Sequence, residues 1–357
     1  MSPPLSRHTP LAIVLLSVIG CTAGALPLNP FLDGSAPHRT AQGFRNNYPH
    51  PEKGGFWKWK REQWRTGAPF KPAGGYQFET ARPDVNFLRA NMRETTVTWI
   101  GHATVLLQTA GVNILTDPHF SERASPVQFM GPKRVVPPVP GLAELPHIHA
   151  VLISHDHYDH LDAGSVAALA RQPGGPPVFF AGLGTKAWFA ELGIPNAVEL
   201  DWWQRVEFMG LDLNFVPVQH WSKRTFTDEN QRLWGGWAVR HPGFSFYFAG
   251  DTGYSMDSAD VGKRFGGFDL AAIPIGGYEP RWFMHVMHVN PAESIRIHRD
   301  VKSRVSLGIH WGTFDDLTDE SLYEPPKVLA AEAAKAGLAP GEFFVLKHGE
   351  TRRLARQ

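Results

Sequence analysis

The run "AVLISHDHYDHLD", residues 150–162, passes without a break from an apolar β-type strand into a loop crowded with imidazole and carboxylate. In an extended segment, residues two apart point the same way, so His155 and His157 can converge on one cation. Asp159 and His160 then turn toward a second position as the chain enters a helix at Leu161. Imidazole and carboxylate are the borderline donors that divalent zinc prefers. One loop cannot complete two coordination shells, and three further residues stand in the same local setting. His220 ends "FVPVQH" (215–220), Asp251 ends "FYFAGD" (246–251) and His310 ends "SLGIH" (306–310). Each follows an apolar strand, which holds a ligand rigidly. The arrangement expected is His155, His157 and His220 on one ion, Asp159, His160 and His310 on a second, and Asp251 bridging them. A lone histidine is ordinarily a surface or hydrogen-bonded core residue. The four-position pattern with three strand-end partners is what lifts these above that reading.

Outward from this loop, strands and helices alternate. Strands are expected at 96–100, in two pieces across "TVLLQTAGVNILTDP" (104–118) with a turn at Ala110–Gly111, and at 150–154, 177–182, 213–220, 244–251, 270–276 and 305–310. Helices are expected at "DAGSVAALARQ", "TKAWFAELG", "NPAESIRIHRDV" and "PPKVLAAEAAKAG". The chain is therefore α/β, two sheets with helices outside. Residues 96–357 are expected to form one unit that carries the candidate ligands. Residues 21–95 read as a linker and an aromatic-rich extension, with one short helix near 56–65.

The 357 residues carry 35 Lys+Arg against 34 Asp+Glu, and no long basic block, so nucleic acid is not the expected partner. The N-terminus has one Arg, the apolar run "LAIVLLSVIG" (11–20) and then Cys21, the single cysteine. This describes a signal peptide over 1–20, too short to span a bilayer. "VIGC" (18–21) has the form of a lipobox, so Cys21 is expected to be lipidated and the protein exported and anchored at the periplasmic or outer membrane. An ordinary signal peptide with an incidental Cys21 is the alternative.

The metal pattern resembles that of the metallo-β-lactamase superfamily, an αββα sandwich with a binuclear site at one edge. The likeness narrows through "WIGHAT" (99–104), "TDPHFSERASP" (116–126), "MGPKR" (130–134), "ELDWW" (199–203), "QHWSKRT" (219–225), "FAGDTGY" (248–254), "GGYEPRWFM" (276–284), "IHWGTF" (309–314) and "FFVLKHGE" (343–350). In this order they resemble the N-acyl-phosphatidylethanolamine-hydrolysing phospholipase D family. The resemblance carries over onto all seven ligands and implies two zinc ions, a membrane phospholipid substrate, contact with a membrane surface and a homodimer. Two zinc ions ~3.5–4 Å apart can lower the pKa of a shared water toward neutrality, for attack on phosphorus. Phosphatidic acid and an N-acylethanolamine would result. Asp156 stands where the animal enzymes are expected to have Asn, and Met287 where Gln is expected, beside the matched His288. The second departure bears on head-group preference.

Around the ligands, Asp159 is also a candidate to relay a proton, and His288 to hydrogen-bond the head group or phosphate. Lys223 and Arg224 could hold a phosphate, or form a solvated charge pair. The resemblance makes Tyr158 a substrate contact, with packing against the helix as the alternative. His102 and Asp117 are candidates to orient ligands, His102 alternatively serving its strand pair, and Asp162 is a candidate helix N-cap. "GGFWKWKREQW" (54–64) mixes Trp with Lys and Arg as interfacial segments do. Two other functions remain open: a lactonase or phosphodiesterase of the same superfamily acting on a soluble substrate, and a non-catalytic metal-binding envelope lipoprotein.

Overall fold

The computed structural model describes residues 29–354, apart from 33 and 67–70. The expected signal peptide and Cys21 lie outside the described residues. Fourteen strands form two mixed seven-stranded sheets. The first sheet contains β1 (Thr96–Gly101), β2 (Thr104–Thr109), β3 (Val112–Thr116), β4 (Ala150–Leu152), β5 (Val178–Gly182) and β6 (Ala197–Leu200). The second contains β7 (Arg205–Phe208), β8 (Leu211–Val216), β9 (Gly236–His241), β10 (Phe244–Phe248), β11 (Phe268–Pro274), β12 (Ser303–Ile309) and β13 (Phe343–Phe344). The last strand, β14 (Thr351–Arg353), returns to pair with β1 at the edge of the first sheet. Each sheet is antiparallel over its first four strands and parallel over the rest. The change falls at β3–β4 in one sheet and at β10–β11 in the other.

Period-two alternation explains the layers, because both faces of these strands are buried. Val105 and Leu107 of β2 enter the core between the sheets, as do Phe246 and Phe248 of β10 and Leu270 and Ala272 of β11. Leu106 faces outward beneath α2 (Val85–Ala90), α3 (Ala163–Leu169) and α4 (Lys186–Glu191), where Leu88, Val166 and Phe189 cover it. Tyr247 and Ile273 face the other way, toward α5 (Asp257–Phe265), α7 (Pro291–Asp300) and α8 (Glu324–Lys335). The result is the expected αββα sandwich.

Several elements differ from the sequence reading. The expected strand 213–220 stops at Val216, because Pro217 cannot continue the ladder and the chain turns toward the site. Strand β9 was not anticipated, since "GWAVRH" is short and carries Arg and His between glycine-rich turns. Helix α5 was missed because its buried face is small and polar: Asp257, Ser258, Val261 and Gly262. A Cβ at Gly262 would lie 1.8 Å from the Asp300 carbonyl oxygen, so glycine is what lets α5 close on α7.

The segment before β1 packs on the sandwich. Helix α1 (Phe56–Thr66) forms where the sequence places a short helix. His38 and Arg39 both pair with Asp201, and the Asn46 amide donates to the His220 carbonyl at 2.9 Å. Among the described residues, no helix is long and apolar enough to cross a membrane.

Candidate metal centre and substrate cavity

The site lies in the crevice beyond the carboxyl ends of β3, β4, β8, β10 and β12, where two sheets of similar topology present their loops to each other. Ser154 opens the metal loop, and its carbonyl accepts the Gly235 amide at 2.9 Å from the opposite sheet. The approach is close. A Cβ at Gly250, which holds φ +61°, would lie 2.5 Å from the Ser154 Cβ. After the ligating stretch, the amides of His160 and Leu161 bond to the His157 carbonyl, and the chain enters α3. Asp162 caps that helix, accepting from the amides of Gly164 and Ser165 at 3.2 and 3.1 Å.

All seven expected ligands converge. Nδ1 of His157 lies 2.8 Å from Nε2 of His155 and 3.2 Å from Nε2 of His220. Beside them, the Asp159 carboxylate lies 3.3 Å from His160 Nε2 and 3.4 Å from His310 Nε2. Asp251 sits between the two groups: Oδ2 is 3.0 Å from His160, 3.9 Å from His155 and 4.0 Å from His220, and Oδ1 is 3.1 Å from His310. His155, His157 and His220 thus lie together, as do Asp159, His160 and His310 with His102, while His155 and His160 also group with Asp117, and Asp251 and His310 with His288.

Several of these atoms lack a hydrogen bond of their own. His160 Nε2, His310 Nε2 and Asp251 Oδ1 are buried in ion-pair range of the groups around them but form no hydrogen bond of good geometry, and buried His288 Nδ1 has none either. Buried polar atoms left in this state are costly, and four in one crevice fit a ligand that accepts lone pairs. Electrostatics agree. Burial pushes His157 and His220 down to about 3 and lowers His155, leaving neutral imidazoles with lone pairs to offer. Burial also opposes protonation of His160 and His310, yet Asp251 and Asp159 override it, raising His310 to about 9. Both carboxylates are themselves held well below the usual range, chiefly by His160 acting against burial. Two buried carboxylates that draw protons onto imidazoles are where a cation fits.

The remote atoms of these rings are tied down. Asp117 Oδ2 lies 2.7 Å from His160 Nδ1, while its carboxylate also accepts the Ser154 amide and hydroxyl. The Ser154 hydroxyl lies 2.9 Å from His155 Nδ1, the Met287 carbonyl 3.0 Å from His220 Nδ1, and the Gly276 carbonyl 3.3 Å from His310 Nδ1. His102 Nε2 lies 2.9 Å from Asp159 Oδ2. His102, Asp117 and His310 all adopt positive φ, at 53°, 33° and 61°. Such backbone is retained where surrounding structure over-determines it, commonly at functional sites. Asp117→Asn removes the charge behind His160, and metal affinity is expected to fall about 10–100-fold. Titration against a competing chelator checks this.

Above the centre lies a cavity of about 560 Å³. His157, Asp159, Asp251, His288 and His310 line its floor, and Trp221, Phe283, Met284, Met287 and Leu317 are among the apolar residues of its walls. Tyr158, Lys223 and Arg224 reach the wall as well. His288 lies 3.8 Å from Asp251 through Nδ1. The Lys223 ammonium pairs with Glu229 at 3.1 Å. Arg224 behaves differently from the sequence reading of a phosphate holder or solvated charge. Its Nη1 donates to the carbonyls of Asp156 and Leu161 at 2.6 and 2.8 Å, and its guanidinium stacks on Tyr158. It braces both ends of the metal loop from within. Tyr158 in turn donates its hydroxyl to the Arg224 carbonyl at 2.8 Å.

Sequence reasoning missed two supports. Ser154 stands immediately before the motif and was legible as a polar residue ending a strand. Arg232, 76 positions from Asp156, was not: it pairs with that buried carboxylate at 2.9 Å and with Asp228 at 2.7 Å.

The Beta-lactamase superfamily domain matches residues 112–311. The N-acyl-phosphatidylethanolamine-hydrolyzing phospholipase D 1 of Caenorhabditis elegans is 43% identical over 265 residues, 71% of this chain and 74% of that protein. The chain belongs to the N-acyl-phosphatidylethanolamine-hydrolysing phospholipase D family. The mitochondrial enzyme of that name from Saccharomyces cerevisiae is 35% identical over 247 residues, 67% of this chain but 52% of its own length. Among solved structures, a possible metal-dependent hydrolase from Veillonella parvula superposes with a TM-score of 0.59 at 20% identity, over 73% of this chain and all of that one. That likeness supports the metallo-β-lactamase fold. As a member of that family the chain is an enzyme, a metal-dependent hydrolase.

Proposed function

We propose that the protein is a two-zinc phosphodiesterase of phospholipase D type, hydrolysing N-acyl-phosphatidylethanolamine to phosphatidic acid and N-acylethanolamine. The observation that carries this reading is the joining of seven convergent ligands to an apolar cavity whose other charged lining groups are cationic. The donors are imidazole and carboxylate with no thiolate, which suits zinc at a catalytic site. His155, His157 and His220 would hold one ion, Asp159, His160 and His310 the other, with Asp251 between them. When bound, such a pair would polarise a phosphoryl oxygen and lower the pKa of water.

The remaining chemistry belongs to the chain. Asp159, steadied by His102, would take a proton from the attacking water. His288 Nδ1, buried and without a partner, can hydrogen-bond the phosphate or return a proton to the departing ethanolamine oxygen. Lys223 could add positive charge for the phosphate by leaving its pair with Glu229, and Tyr158 lines the passage as a substrate contact. Water's oxygen ends on phosphorus as the bond from phosphorus to the ethanolamine oxygen breaks.

A lipid must reach this floor from a membrane, and the surrounding segments are built for it. Helix α1 contributes Phe56 to the cavity and exposes Trp57 and Trp64, 81% and 86% accessible, with Arg61 and Arg65. Phe226, fully exposed, stands on the loop that follows His220. Trp and Arg together suit the bilayer interface. Export and lipidation at Cys21 would keep the enzyme there.

Product analysis with zinc-loaded protein in mixed micelles tests this. Phosphatidic acid and N-acylethanolamine should appear with intact protein and be absent with His155→Ala. If N-acyl-phosphatidylethanolamine survives while a soluble phosphodiester or lactone is cleaved, the lipid reading is wrong.

A further inference from the structure

Residues 316–320, "DLTDE", lie far in sequence from every ligand except His310, yet they connect two walls of the cavity. Leu317 and Thr318 line it directly. The Asp319 carboxylate accepts the indole N–H of Trp59 at 2.9 Å and the side-chain amide of Gln63 at 2.6 Å, both from α1. Trp59 stacks on Phe283 with ring centroids 5.3 Å apart, and Phe283 belongs to the cavity wall. One carboxylate therefore fixes the helix whose Phe56 closes that side.

Glu320 does something different. It is buried, and among the described residues no cation pairs with it. Its carboxylate accepts three consecutive backbone amides instead: Gly277, Tyr278 at 3.3 Å and Glu279 at 3.1 Å. The Asp319 amide closes the arrangement by donating to the Glu279 carbonyl at 3.1 Å. The loop so gripped touches the catalytic floor. Gly276 supplies the carbonyl facing His310 Nδ1. Gly277, at φ +84°, is packed so tightly that a Cβ there would lie 3.0 Å from the His310 ring and 3.3 Å from His288 Nδ1. The same loop leads into the short helix α6 (Arg281–Met284), after which come Met287 and His288.

We propose that Asp319 and Glu320 are paired positioning residues with separate tasks. Asp319 sets the α1 wall that receives lipid, and Glu320 sets the loop that aims His310 and His288. A buried carboxylate that accepts three consecutive loop amides, with the Thr318 hydroxyl also bonded to it, holds backbone at a fixed distance with directional, charge-assisted bonds. Misplacement of a catalytic group by about 1 Å can cost 10²-fold, so the loop's grip should register in turnover.

The inference rests on the lipid phosphodiesterase reading for its kinetic part, and on the ligand set alone for its zinc part. Glu320→Gln and Asp319→Asn would be compared with the full wild-type protein in mixed micelles and in Zn²⁺ titrations against a chromophoric chelator. Glu320→Gln, which sets an amide N–H against a backbone N–H, is expected to lower kcat by roughly 10–100-fold with KM little changed. It should also weaken binding of one of the two zinc ions. Asp319→Asn should raise KM severalfold and leave kcat and zinc binding as they were. Glu320→Asp, which keeps the charge on a shorter stem, serves if the glutamine variant does not fold, with the same kcat and zinc effects expected. Wild-type kcat and zinc affinity in the Glu320 variant would overturn the proposal. So would parallel losses in both variants that track thermal stability. If the wild type cleaves no phosphodiester lipid, the function proposed above fails, while the zinc titration still decides whether Glu320 positions His310.

Discussion

Asp251→Ala is expected to lower turnover by at least about 10³-fold while the sandwich stays folded, because bound metal contributes several kcal/mol of transition-state stabilisation. Asp251 follows β10, and its two oxygens approach nitrogens of both imidazole groups. Removing it leaves Asp159 as the carboxylate facing both His160 Nε2 and His310 Nε2, with Asp117 behind His160, so cation affinity should fall on that side first. Asp251→Asn keeps the shape and removes the charge, and should lose nearly as much. Metal content by mass spectrometry, taken with kcat and far-ultraviolet circular dichroism, checks the prediction. Full activity with less than one ion bound would show that Asp251 does not join the two subsites.

Arg232→Met is expected to destabilise the protein by somewhat less than the about 3–5 kcal/mol that removing one partner of a fully buried pair costs, because the Arg232 side chain stays 20% exposed. The Asp156 side chain is fully buried, and it accepts the Lys223 amide as well as the Arg232 guanidinium. Burial raises its pKa even with Arg232 present, so without that arginine the carboxylate would keep only the Lys223 amide and the charge of Arg224 to hold it ionised. The double variant Arg232→Met, Asp156→Asn should recover much of the loss, since Asn still accepts from the Lys223 amide and carries no charge. Denaturant melts of the two single variants and the double variant measure the coupling. Additive losses would mean that the pair contributes little.

This pair also shows where the sequence could and could not be read. The metal loop was legible because donors at strand ends leave a local signature: an apolar run, then His or Asp, then a turn. His220, Asp251 and His310 share it although they are far apart in the chain. Asp156 stood out as a departure from the family pattern, but its partner depends on the fold bringing the 222–232 loop against the metal loop. Arg224 illustrates the same limit. Its position shortly after His220 left a phosphate contact and a solvated charge pair both open, whereas the fold points its guanidinium at two carbonyls of the loop it supports. Helix α5 was hidden because it buries small residues, and β9 because its six residues carry Arg240 and His241. The layers themselves followed from alternation on strands buried on both faces.

The most direct test of the central claim is hydrolysis of N-acyl-phosphatidylethanolamine in ¹⁸O-labelled water with zinc-loaded protein, followed by mass spectrometry of both products. Attack at phosphorus places one label on phosphatidic acid and none on the N-acylethanolamine, and His155→Ala should yield neither product. Label in the ethanolamide, or unchanged product formation without the histidine, would contradict the account.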